Sequence, residues 1–254
     1  MLRTALGILR SFRVEGTRYK EVTNEPLRVA LSRRGSGHKD YDVTFAGGGR
    51  LRIRITPQRS FADLVPPPTL PVCLRAERLL RPGMRVLVLP CGTGFAAAMV
   101  SGRVAPSGGV VALDEDDESI EFARLRYPIQ NVSFERGGLA DLVGETDGAF
   151  DAVIAIESHS GLPAESKTSE FWRLVAPEGW LLVATPVALK SEETQEQRRS
   201  SGEALVEHLG RLCAAPEPEG TDAPSNAHIG LMGEGGDGWL VAIARREGRS
   251  DRAT

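Results

Sequence analysis

Residues 86–99 read VLVLPCGTGFAAAM. An apolar run of strand length enters a Gly-x-Gly turn, and a run of small residues suited to close helix packing leaves it. The stretch is read as a strand, a tight loop and a helix start. What remains to be decided is whether the glycines cradle a ligand or only turn the chain. Glycine is required where the backbone must turn sharply and let ligand atoms approach its amides, because no Cβ stands in the way. The helix starting near Phe95 presents its positive end to an arriving carboxylate or phosphate.

Downstream, strand-like and helix-like pieces alternate: GVVALD, ESIEFARLRY, VSF, a weak piece around Leu139, AFDAVIAI, SKTSEFWRLV and GWLLVAT. A helical GEALVEHLGRLC follows, and two strands close the chain near AHIGLM and GWLVAIARR. Alternation of this kind predicts a parallel sheet covered by helices on both faces. In an open sheet of that type, ligands sit beyond the carboxyl ends of the strands, where strand order reverses. The loop at Gly92 and Gly94 falls there, and Asp114 ends the second strand twenty residues after Gly94. From that position a carboxylate accepts hydrogen bonds from the two hydroxyls of a ribose, so loop and acid together select a nucleoside-bearing ligand. Two cofactor classes share this geometry, the nicotinamide or flavin dinucleotides and S-adenosylmethionine. Gly92-x-Gly94-x-x-Ala97 nominally satisfies the dinucleotide pattern.

Over about residues 70–245, RPGMRVLVLPCGTG, VVALD, FDAVIAI, RLVAPEGWLLV and WLVAIARR together resemble class I S-adenosylmethionine-dependent methyltransferases. In that family a helix ending in Arg-x-Leu leads through a Pro-Gly turn into an apolar strand, and Arg173, Leu174, Pro177 and Gly179 stand in those places. The resemblance implies an α/β, Rossmann-like sheet of seven strands with helices on both faces and an antiparallel last strand. It also implies S-adenosylmethionine as cofactor, held by Pro90, Cys91, Gly92, Thr93, Gly94, Asp114, Glu115, Gly138, Leu139 and Glu157. Two places depart from the family pattern. Pro90 stands near the acid that usually ends the first strand, and Gly138 and Leu139 replace the acid that meets the adenine amino group, with Glu135 and Asp141 as substitutes for it. Two readings follow: an active transferase with a variant pocket, or a degenerate methyltransferase-like domain.

Displacement at a sulfonium methyl needs mainly positioning and a deprotonated nucleophile. The resemblance puts Glu157-Ser158-His159-Ser160 over the methyl, which makes His159 the candidate base and Glu157 a second catalytic candidate. Against this, His159 reads equally as a solvated loop residue, and Glu157 as a cap on the next turn. Cys91 suits its loop by size rather than reactivity. Acids at 116–118 are expected from a helix dipole, so no metal site is read there. Trp172, Trp180 and Trp239 sit on apolar elements and read as core, and His208 and His228 as structural.

Ahead of the main domain, YDVTF and LRIRI alternate at period two around GGG at 47–49, which predicts a small antiparallel β-rich unit. The prolines at 66–68 mark a joint, dividing the chain into residues 1–68 and 69–254. Residues 1–60 carry 13 Lys+Arg against 5 Asp+Glu, leaving 18 against 29 for the rest. A basic front suits RNA, and the layout is similar to that of tRNA N1-adenosine methyltransferases, although Ile156-Glu157-Ser158-His159 lacks the acid-proline pair those enzymes carry. The bland reading is that arginine outnumbers lysine 27 to 4 throughout and scatters over any exposed face. The expected acceptor is a small molecule, with RNA the alternative. Cys73, Cys91 and Cys213 form no paired motif, and no apolar run reaches the roughly 18 residues a membrane span needs. The first sixteen residues read as an amphipathic helix rather than a transit peptide. The expected location is the cytoplasm.

Overall fold

A run such as Val86-Leu87-Val88 is apolar at every position, so a strand made from it must be buried on both faces. The computed structural model of the chain describes residues 12–14, 17–19, 26–55, 69–157, 163–188, 207, 211, 227–232 and 237–247, and in it these three residues are wholly buried. The elements run β1 (Phe12–Val14), β2 (Thr17–Tyr19), β3 (Pro26–Gly35), β4 (His38–Phe45), β5 (Arg50–Ile55), α1 (Leu70–Glu77), β6 (Arg85–Val88), α2 (Phe95–Val104), β7 (Gly109–Asp114), α3 (Asp117–Arg126) and β8 (Val132–Arg136). A short 3-10 turn (Leu139–Leu142) is followed by β9 (Phe150–Ile156), α4 (Glu165–Leu174), β10 (Val175–Ala188), β11 (Ala227–Met232) and β12 (Asp237–Arg245).

Seven strands form one sheet in the order β11-β12-β10-β9-β6-β7-β8. Pairing is parallel from β10 through β9, β6 and β7 to β8, whereas β12 runs antiparallel to both β10 and β11. Strand order reverses between β6 and β9, because the chain builds outward through β7 and β8 before returning to the other side of β6. Period-two alternation sends Val86, Val88, Ala112, Ile154 and Leu182 into one core, with Val72 and Cys73 of α1, Ala97 and Val100 of α2, and Ile120 and Ala123 of α3. Leu87, Leu113, Val153, Leu181 and Val183 point the other way, against Phe171 and Leu174 of α4. Trp172 and Trp239 are buried and Trp180 is half-buried, as core residues should be. The Pro177-Glu178-Gly179 turn lies inside β10 as an irregularity between Val175 and Trp180, so that strand begins earlier than the GWLLVAT of the sequence reading.

At the end of α4, Arg173 donates to the carbonyls of Leu142 (2.9 Å) and Glu145 (2.7 Å) and to the carboxylates of Glu170 and Asp147. Hydrogen bonding to Glu170 and then to Asp147 raises its pKa further above the ordinary arginine range. The side chain thereby ties the segment entering β9 to the helix leaving it.

Strands β3-β4-β5 form a separate antiparallel sheet, and β1 pairs with β2. Gly48, at φ 91°, turns the chain between β4 and β5. One face of this sheet buries Val43, Phe45 and Ile53 against Phe122 of α3, with the Phe45 and Phe122 rings edge-on at 5.5 Å. The amide of Arg54 also donates to Glu118 of α3 at 3.1 Å. The proline joint at 66–68, the opening helix and most of the helix expected over 202–213 lie outside the described residues. Among the described residues, no helix is long and apolar enough to cross a membrane. Phe45→Ala, which empties the centre of the small-sheet core, is expected to cost about 3–5 kcal/mol in a denaturant titration.

Candidate active site

The loop after β6 is tied to its neighbours before it turns. Leu89 donates its amide to the Ile154 carbonyl (3.0 Å), Cys91 donates to Leu113 (2.8 Å), and Gly94 closes the turn onto Cys91 (3.0 Å). Both glycines take left-handed backbone, Gly92 at φ 54° and Gly94 at φ 95°, but for different ends. A Cβ on Gly92 would meet nothing within 4 Å, so the crest of the turn is open to an approaching ligand. On Gly94 a Cβ would lie 2.7 Å from the Ala123 Cβ and 2.9 Å from the Phe134 ring, so this glycine lets α3 and β8 pack against the start of α2. The sequence reading had assigned both glycines to ligand approach; only Gly92 has that geometry.

Asp114 ends β7 with its carboxylate turned to the loop. Oδ2 accepts from the Gly92 amide at 2.8 Å and Oδ1 from the Asp116 amide at 3.0 Å. Asp116 caps α3 by accepting from the Ser119 amide at 2.9 Å, Asp117 pairs with Arg136, and Glu118 receives the Arg54 amide. The acid run is thus absorbed by the helix end and its neighbours. Among the described residues no group of three or more His, Cys, Asp or Glu could hold a metal ion.

Leu89, Pro90, Asp114, Glu115, Gly138, Leu139 and Lys167 line a cleft of about 220 Å³ at the carboxyl ends of β6, β7 and β8. Five of the residues inferred from sequence therefore meet there: Pro90, Asp114, Glu115, Gly138 and Leu139. Gly92 borders the site through its bond to Asp114, while Thr93 is half-buried in the turn and Cys91 is buried in the core beneath. Glu115 lies over Gly138, where a Cβ would come within 2.4 Å of its Oε1. Neither proposed substitute for the adenine acid is directed at the cleft. Asp141 accepts from the Gly138 amide (2.8 Å) and so holds the 3-10 turn, and Glu135 is exposed and accepts from Ser133 (2.6 Å).

Glu157, just past β9, pairs with Lys167 at 2.5 Å, and the Lys167 ammonium lies 5.7 Å from the Phe171 ring centre. Sequence reasoning missed Leu89 and Lys167. The available signal was that Lys167 is one of only 4 lysines beside 27 arginines, but no motif pointed to it. His159 lies outside the described residues, as do His208 and Cys213; His228 falls on β11.

Residues 80–223 match a family model described as a methyltransferase domain, and the chain belongs to this family of class I S-adenosylmethionine-dependent methyltransferases. It is 31% identical over 106 residues to a ribosomal protein L11 methyltransferase of Thermosipho melanesiensis, a match covering 42% of this chain and 40% of that protein. It is 26% identical over 163 residues to the protein of the same name from Thermotoga neapolitana, covering 62% and 58%. The chain spans about half the length of these curated relatives. A solved structure, a SAM dependent methyltransferase from Aquifex aeolicus, superposes with a TM-score of 0.47 at 19% identity, covering 68% of this chain and 88% of that one.

Gly94 in the packed turn and Gly138 in the cleft should respond differently to a methyl group. Gly94→Ala forces left-handed backbone and a clash with packed atoms, and should destabilise the fold by about 2 kcal/mol or more. Gly138→Ala, at an ordinary φ of −131°, displaces only the exposed Glu115 side chain and should change the melting temperature far less than Gly94→Ala. Thermal denaturation of both variants checks the contrast.

Proposed function

We propose that this chain transfers the methyl group of S-adenosylmethionine to a small-molecule acceptor. The observation that carries the reading is Asp114, which lines the cleft with its carboxylate fixed at both oxygens by backbone amides. An ionised carboxylate accepts about four hydrogen bonds, so ribose hydroxyls donate to an acceptor already held in place. Glu115, Gly138 and Leu139 flank the adenine, and Pro90 with the Cys91–Gly94 turn borders the sulfonium side. The open crest at Gly92 and the unblocked cleft support this active reading over a degenerate one.

The bound cofactor supplies a methyl group on positively charged sulfur, which is electrophilic without further activation. The chain's own residues have to exclude water, align the acceptor for in-line attack and remove its proton. We assign the proton to His159, two residues beyond Glu157, for an acceptor that attacks through a hydroxyl or an acidic carbon. Residues 1–68 form an appended unit in this reading and residues 69–254 the transferase. Cys73, Cys91 and Cys213, spaced without a paired motif, suit a reducing cytoplasm.

The charge pattern of the small sheet supports a small acceptor over RNA. Arg54 pairs with Asp40 at 2.9 Å and Arg52 with Asp42 at 2.8 Å, so two of the three arginines on β5 are neutralised by the neighbouring strand. Hydrogen bonding to Arg54 holds the buried Asp40 carboxyl below the usual carboxylate range, so the pair stays charged at neutral pH. Nonspecific phosphate binding scales with the number of cations a surface offers.

Calorimetric titration with S-adenosylhomocysteine, the demethylated product, should show one site with a dissociation constant on the order of micromolar. Asp114→Ala should weaken it by roughly tenfold or more. No heat from the unaltered protein would overturn the reading. Retention on immobilised tRNA at physiological salt, lost as salt rises, would replace the small-molecule acceptor with RNA.

A further inference from the structure

Among the described residues lining the cleft, Lys167 carries the one positive charge. It stands in the first turn of α4, with its side chain 36% exposed, and its ammonium rests on Glu157, whose side chain is only 15% exposed. A surface ion pair contributes about 0–1 kcal/mol to stability, and in this part-buried one the Glu157 carboxylate loses solvation as well. Stability alone is therefore a weak reason for the pair. Its place is more informative. Asp114, Glu115, Gly138 and Leu139 occupy the β7 and β8 end of the cleft, while Glu157 follows β9 on the far side of β6. Between the two ends lie Leu89 and Pro90, which bring no charge.

We propose that Lys167 and Glu157 receive the amino-acid end of S-adenosylmethionine, Lys167 donating to its carboxylate and Glu157 accepting from its ammonium. The assignment rests on the cofactor reading above: with adenosine gripped by Asp114, strand order directs the rest of the molecule across β6 toward β9. The charges match. A simple anion at this point would meet Glu157 as well as Lys167 and be repelled by one while attracted by the other. A zwitterion exchanges the internal pair for two cross pairs and leaves neither charge unmatched, which is what offsets the cost of taking charges out of water. Lys167 and Glu157 then fix where the sulfonium sits along the cleft, and so act as positioning residues for the methyl group.

The test compares two ligands that share a nucleoside thioether and differ in the amino-acid end: S-adenosylhomocysteine, which has it, and 5′-methylthioadenosine, which does not. Lys167→Met and Glu157→Gln should each weaken S-adenosylhomocysteine by roughly ten- to a hundredfold and leave methylthioadenosine binding unchanged. Lys167→Arg should recover most of the lost affinity. Unchanged methylthioadenosine binding also shows that each variant is folded. Equal losses on both ligands, or no loss on S-adenosylhomocysteine, would overturn the assignment while leaving the cofactor reading intact. An unaltered protein that binds neither ligand would overturn the cofactor reading, and this assignment with it.

Discussion

The Asp114 carboxylate holds two loops at once. By accepting from Gly92 on one side and Asp116 on the other, it ties the turn after β6 to the entry of α3. The acid that faces the cleft is therefore part of the scaffold and not a side chain searching for a partner. This has a physical consequence for binding. A rotamer locked before the ligand arrives loses no conformational freedom when the ligand does, and two part-buried loop amides are satisfied in the same bonds. The turn, the helix start and the strand end are thus set by one carboxylate.

The sheet's order decides what surrounds that carboxylate. Because the chain reverses between β6 and β9, the helices after these strands diverge and leave a crevice at their carboxyl ends. On one side of β6 the crevice is floored by Gly138 and Leu139 past β8; on the other it meets Glu157 and the first turn of α4. The cleft consequently has an acidic end at Asp114 and Glu115 and a paired-charge end at Lys167 and Glu157, with an apolar stretch at Leu89 and Pro90 between them. Pro90, which as sequence looks like the loss of an acid, leaves the charge to be supplied from the neighbouring strand.

The small sheet shows how strand register pairs part of a basic stretch. Thirteen basic residues in the first sixty suggest a polyanion site, yet the ladder puts Asp40 opposite Arg54 and Asp42 opposite Arg52. Antiparallel register converts a run of arginines into local pairs. Its apolar face, meanwhile, is given to Phe122 and Leu125 of α3, so the unit sits on the same helix whose entry Asp116 caps.

The order of strands and helices over residues 86–188 was legible because strands such as β6 and β7 carry short apolar runs and the segments between them a different pattern, and such periodicity is a local property of the chain. Gly92 and Asp114 were legible for the same reason, since they fall at fixed offsets from strand ends, whereas Glu115, Gly138 and Leu139 came only with the family resemblance. What sequence could not supply was direction. That Gly94 serves packing against Ala123 and Phe134, that Asp141 turns back to its own loop, and that Cys91 faces the core depend on which elements lie alongside, and those neighbours are 20 residues or more away for Gly94 and Cys91. Lys167 was invisible for a stronger reason. Its meaning comes from Glu157, ten residues earlier and on a different element, and only the packing of α4 over the end of β9 brings that cation to the cleft.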